Sequence, residues 1–266
     1  MESFREVLQL YSSILPLLLL VLGLCLGSFL NVVGLRVPLS QSIAFPPSRC
    51  PSCEHRLRPL DLVPVFGWLF LRGKCRYCQA PVSALYPLME AATGLLFALM
   101  AWRLGATAEL LPALLLVSIL AAITVSDIRY MLIPNRIVFT GYALALLMRL
   151  FIHPLPLWSY IAGFLVGGGV LYALAWISVT FLKKEGMGGG DIKLFAFIGL
   201  VLGVKLTLLA LFASSVIGLV YGIVLLSTGR FGREKMIPFG PFIAMGSIVT
   251  YLWGQDWWTA YTNMLG

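Results

Sequence analysis

Eight apolar runs dominate this chain, at about 9–33, 82–102, 108–126, 137–151, 157–181, 192–204, 206–228 and 237–254. A run of roughly 20 apolar residues matches the hydrocarbon thickness of a bilayer when it is helical. The pattern predicts an all-α polytopic membrane protein with about eight transmembrane helices. Composition excludes the alternatives: 60% hydrophobic and 11% charged residues, with a mean hydropathy of +0.94, fit neither a water-soluble globule nor a disordered chain. The stretch 192–228 is read as two spans, because 37 residues are too many for one crossing and Gly199, Gly203 and Lys205 offer a turn. The first run follows MESFRE, which lacks a basic excess, and no small-x-small site comes after it. It is read as a retained helix and not as a cleaved signal.

Charge sets the expected orientation. With the N-terminus outside, fifteen of the nineteen Lys and Arg residues fall on the inner side, seven of them between Arg36 and Arg76. Only Arg5, Arg103, Arg149 and Lys205 fall outside. Positive residues concentrate in cytoplasmic loops, so both termini are predicted outside. Trp102, Trp158, Trp253, Trp257 and Trp258 then lie near outer span ends as an aromatic belt. The predicted division is a first transmembrane helix over 1–35, a small cytosolic loop module over 36–81, and a transmembrane domain over 82–266. The net charge of +8 is accounted for by membrane orientation, with no nucleic-acid partner expected.

The loop module holds two CxxC pairs, CPSC at 50–53 and CRYC at 75–78. Cys50, Cys53, Cys75 and Cys78 have the spacing of two zinc knuckles, and a reducing cytosol disfavours disulfides. Four thiolates close a tetrahedral shell and leave no position for a catalytic water, so the reading is a structural Zn2+ stapling a loop too small for its own core. Cys25, inside the first apolar run, is read as a packed small residue.

Ionisable groups at membrane depth are functional candidates by default. Asp127 ends the third run in VSDIRYMLIPN, and Asp191 opens the sixth in GMGGGDIKL. Two spans separate them, so both lie on one face whatever the orientation. Two carboxylates in a poorly hydrated site share a proton, one then serving as base for a water while the other donates to a carbonyl. Gly188, Gly189 and Gly190, with Gly186, permit close approach of an extended substrate. Against this stands a plain reading in which each Asp caps a helix or pairs with Arg129 or Lys193. The glycine run lacks the GK[ST] ending of a phosphate-binding loop, which argues against nucleotide hydrolysis. Asn31 is read as an interhelical hydrogen bond, and Gly23/Gly27 and Gly163/Gly167 as helix-packing pairs.

Taken in order, GSFLNVV at 27–33, CPSC, CRYC, YPLME at 86–90, DIRYMLIPN at 127–135, GMGGGDIKL at 186–194 and KMIPFGPF at 235–242 resemble the type IV prepilin peptidases over nearly the whole length. The resemblance implies a GxGD-type membrane aspartic endopeptidase with Asp127 and Asp191 as catalytic pair. It implies removal of the leader from prepilin or pseudopilin substrates at the cytosolic face of the bacterial inner membrane, serving pilus, type II secretion or competence systems. Members with the four-cysteine loop are typically bifunctional and N-methylate the new N-terminus with S-adenosylmethionine. Glu90 and Lys235 are candidates for contacts with substrate or methyl donor; Glu90 could instead satisfy a buried partner, and Lys235 could simply begin a helix. Where the family often reads RYPxxE, this chain has Leu85. The rival readings are a proton-coupled transporter using the two acids, a zinc-stapled pilus-assembly scaffold, and a protease cutting inside a lipid-buried helix.

Overall fold

The structure, a computed structural model, describes residues 2–183, 188–228 and 237–265. Nine α-helices, and no strand, are present among the described residues: α1 Glu2–Arg36, α2 Phe66–Phe70, α3 Leu85–Leu104, α4 Leu110–Tyr130, α5 Asn135–Phe151, α6 Leu157–Ile177, α7 Gly189–Leu202, α8 Val204–Ser227 and α9 Gly240–Leu265. The all-α expectation therefore holds. The chain folds as two compact units, Met1–Leu110 and Leu111–Gly266.

In the first unit α1 packs along α3 at backbone distance. A methyl group on Gly23 would stand 2.8 Å from the Gly94 Cα, and one on Gly27 would stand 2.9 Å from the Glu90 Cα. Small residues four apart let the two helices approach this closely, and in lipid such packing replaces the missing hydrophobic drive. Asn31 adds a polar tie, its side-chain N–H donating to the Tyr86 carbonyl at 3.1 Å.

The second unit is built around α7. Every residue from Leu194 to Leu202 is buried. Helix α6 lies against it through Gly163 and Gly167, where added methyls would stand 2.4 Å from the Gly199 carbonyl oxygen and 2.3 Å from that of Phe195. Pro134 and Pro156, in extended backbone, stand immediately before α5 and α6. Proline fixes φ for entry into a helix and has no N–H to leave unsatisfied there. The break read near Lys205 is present: Gly203, at φ 75°, separates α7 from α8. Only a residue without Cβ enters that region freely.

Among the described residues, five segments are long and apolar enough to cross a membrane: Ile14–Arg36, Leu85–Leu104, Leu110–Tyr130, Leu157–Phe181 and Val204–Ser227. Each of the eight predicted runs forms a helix, but not all have spanning dimensions. At 17 and 14 residues, α5 and α7 run about 25 and 21 Å, short of a hydrocarbon core of about 30 Å. Helix α7 is apolar because protein surrounds it, which hydropathy alone does not distinguish from lipid exposure.

Candidate functional site

Asp127 sits in the last turn of α4 and is 6% exposed. Behind it the chain reverses: the Met131 N–H donates to the Asp127 carbonyl at 2.9 Å, Met131 adopts φ 53°, and the Ser126 hydroxyl donates to the Leu132 carbonyl at 2.6 Å. This tight return brings Ile133 against Gly190, where a methyl would stand only 2.7 Å from the Ile133 Cβ. Asp191, half-buried, occupies the third position of α7, with its N–H donating to the Gly188 carbonyl at 3.2 Å. Asp191 also lies close enough to Asp127 for the two carboxylates to feel each other's charge.

A third element completes the arrangement. The Gly240 N–H, at the start of α9, donates to Asp127 Oδ2 at 2.7 Å. An amide donor favours the charged carboxylate, and the N-terminus of a 26-residue helix adds a fixed positive field. Nothing in the residue types of KMIPFGPF announces this contact, because the donor is a backbone amide.

Lys193, an expected partner for Asp191, is engaged elsewhere: its Nζ donates to Asn135 Oδ1 at 2.9 Å. The Tyr142 hydroxyl donates to the Lys193 carbonyl at 2.7 Å. These two bonds tie the start and the middle of α5 to the start of α7, the first of them at the end of the DIRYMLIPN return. Lys235 and Gly186 lie outside the described residues, as do Lys184, Arg230 and Arg233 of the charge count.

In the first unit the four cysteines converge. Their sulfurs all lie within 4.8 Å of one another, with Cys50 Sγ and Cys78 Sγ at 3.7 Å. A tetrahedral ion with metal–sulfur bonds of about 2.3 Å requires sulfur–sulfur edges of about 3.8 Å, so the donor set fits zinc. The two knuckles repeat one another. Cys50 N–H donates to the His55 carbonyl at 3.0 Å, and Cys75 N–H to that of Ala80 at 2.8 Å. Glu54 and Gln79, one residue after the second cysteine of each pair, share the left-handed conformation at φ 55° and 60°. The amides of Cys53 and Ser52 aim at the Cys50 sulfur and hold that thiol well below its ordinary range, at about 6. Cys53 is driven the opposite way: a backbone hydrogen bond from His55 opposes the shift, but burial and the sulfurs of Cys78, Cys50 and Cys75 push it up to about 12, because four adjacent thiols do not all ionise without a cation between them.

Glu90, buried in the second turn of α3, accepts the Val65 N–H on Oε2 at 2.7 Å. Val65 is a β-branched residue at φ 62°, a conformation that costs on the order of 1–3 kcal/mol unless its surroundings enforce it. Trp68, three residues on, donates its indole N–H to the Val82 carbonyl at 3.0 Å. The loop is therefore pinned to α3 and to the residues leading into it.

Comparison with known proteins agrees with this architecture. Residues 21–104 match the bacterial peptidase A24 N-terminal domain, and residues 114–223 match the type IV leader peptidase family. The prepilin leader peptidase/N-methyltransferase of Bacillus subtilis strain 168 is 43% identical over 248 residues, covering 93% of this chain and 98% of that protein. The protein of the same description from Pseudomonas putida is 35% identical, covering 92% of this chain and 93% of its own length. The type 4 prepilin-like proteins leader peptide-processing enzyme of Escherichia coli O78:H11 is also 35% identical, at 92% and 96% coverage. No solved structure matches the chain. With both domain matches in order and relatives of this identity aligned almost end to end, the chain belongs to the type IV leader peptidase family.

Proposed function

We propose that this protein removes the leader of type IV prepilin-like proteins and N-methylates the trimmed product, with Asp127 and Asp191 as the catalytic pair. The reading rests above all on one observation: two carboxylates 64 residues apart in sequence lie within electrostatic reach of each other, with Asp127 holding the Gly240 amide. One carboxylate takes a proton from water as the oxygen attacks the scissile carbonyl carbon. The other, protonated, donates to the carbonyl oxygen. Collapse of the gem-diol breaks the C–N bond, and a proton passes to the leaving amine. The pair acts as a unit, so neither aspartate has a fixed role. Of the candidate loop Gly188, Gly189 and Gly190, the first two leave room for extended backbone beside Asp191, whereas Gly190 is taken up by its contact with Ile133.

The amine released by cleavage is the methyl acceptor, and S-adenosylmethionine supplies the methyl group when bound. Glu90 and Lys235 are the candidate contacts for substrate or methyl donor. Cys50, Cys53, Cys75 and Cys78 would hold a structural Zn2+ in the 36–81 module. The charge distribution supports termini outside and an active site facing the cytosol of a bacterial inner membrane.

The test is co-expression with a prepilin-type substrate, whose N-terminus is read by intact mass. Wild type trims and methylates it; Asp127→Asn and Asp191→Asn, each accumulating in the membrane, do not trim. Processing by either variant refutes the dyad.

A further inference from the structure

Helix α2 presents an apolar face that the catalytic reading does not use. Phe66 and Leu69 are each 53% exposed and Phe70 is 83% exposed, and positions i, i+3 and i+4 share one side of a helix. Leu60, in the preceding 3-10 turn, is 73% exposed. The opposite side of α2 is fixed: a methyl on Gly67 would meet the Asp61 carbonyl at 2.6 Å, and Trp68 is bonded to Val82. The apolar face is thus held outward by the fold of the loop.

Two independent observations say what covers it. The first is depth. The residue preceding α2, Val65, is bonded to Glu90, the sixth residue of α3. Five residues of helix rise about 7.5 Å, so α2 begins beside a level well inside the end of a spanning helix. Interfacial amphipathic helices bury their apolar face about 5–10 Å into the boundary between headgroups and acyl chains. The second is charge. Residues 36–81 carry seven Lys and Arg against two acids, and one of those acids, Asp61, is already paired with Arg76 at 2.7 Å. Arg72 and Lys74 follow α2 directly. An apolar face beside a basic loop matches an anionic lipid surface.

We propose that α2 is an interfacial anchor, seating Phe66, Leu69 and Phe70 in an anionic bilayer so that the cysteine module is held at the membrane surface. This rests on α1 and α3 spanning the membrane and not on the catalytic reading, so the two can fail separately. The full chain would be reconstituted into vesicles of phosphatidylglycerol with phosphatidylcholine, or of phosphatidylcholine alone. Each would contain a lipid with a photoactivatable group near the top of its acyl chain, and adducts would be mapped by mass spectrometry. Adducts are expected on the 66–70 segment, several-fold more abundant in the anionic vesicles, with α1 and α3 labelled in both as internal controls. Phe70→Ser should lower the α2 adducts several-fold while α1 and α3 labelling and bound zinc per chain stay unchanged. The proposal is overturned if 66–70 stays unlabelled while α1 and α3 react, if lipid charge makes no difference, if Phe70→Ser leaves α2 labelling unaltered, or if the segment crosslinks to protein instead of lipid.

Discussion

Gly240→Ala isolates the contact between the start of α9 and Asp127. A Cβ at this position would stand 2.8 Å from Asp127 Oδ2, 3.1 Å from its Cβ and 3.2 Å from its Cγ. The carboxylate must turn away or the helix start must retreat, and either movement lengthens the 2.7 Å amide bond. A hydrogen bond to a charged group is worth about 1.5–3 kcal/mol, which corresponds to roughly 10- to 150-fold in rate if its loss falls on the transition state. Misplacing a reacting group by about 1 Å costs a similar factor of about 100. Leader cleavage by Gly240→Ala should therefore fall about 100-fold, measured as kcat/KM on a prepilin peptide in detergent or vesicles. Methylation of an already trimmed peptide should be retained, which separates a damaged dyad from a damaged fold. Gly169→Ala, where an added methyl meets nothing within 4 Å, is the control. Cleavage by Gly240→Ala within threefold of wild type, with the protein intact, would refute the role assigned to this contact.

Three further outcomes follow from geometry already described. Removing zinc by chelation, or one ligand by Cys75→Ser, should make residues 36–84 susceptible to limited proteolysis while the helices persist, because structural zinc contributes about 10–16 kcal/mol of apparent binding energy; metal analysis should give one zinc per chain. Gly199→Ala would place a methyl 2.0 Å from the Gly163 carbonyl oxygen and should lower thermal stability by at least 1–3 kcal/mol on the usual scale of overpacking, whereas Gly169→Ala should leave it unchanged. Glu90→Leu leaves the Val65 amide without its acceptor, a loss of about 1–3 kcal/mol, and hydrogen exchange over 63–70 should accelerate with little change in α4 or α7.

Much of this was legible in the chain because it is encoded by residue type and spacing. The CxxC pairs announce a tetrathiolate cluster, Gly203 marks the break between α7 and α8, and the Gly163/Gly167 pair signals a close helix crossing. That Asp127 and Asp191 share one end of the bundle followed from counting the segments between them. The Gly240 contact was not legible, because its donor is a backbone amide and its partner lies 113 residues away. Lys193 was read as a neighbour of Asp191 by proximity in sequence, whereas helix geometry sends its side chain to Asn135. The crossing count is less directly legible: five described segments have the length and apolarity of spans where eight were expected, and α7 is as apolar as a lipid-facing span while its surroundings are other helices. Hydropathy records the absence of water and not the identity of what replaces it.

The two knuckles also impose an order of assembly. All four thiols are complete in the nascent chain at Cys78, seven residues before α3 begins at Leu85. Closing a ring of that size is entropically modest, and beyond Cys78 it needs only the Gln79–Ala80 turn of the second knuckle. Metal capture can therefore precede synthesis of the helix to which the loop is later fastened through Val65 and Glu90. A cell short of zinc at that moment would present α3 with an unfolded strand of basic, aromatic polypeptide instead of a finished docking partner. If the cluster takes up its metal at this stage, supply during translation, and not only afterwards, governs whether α3 meets a folded loop.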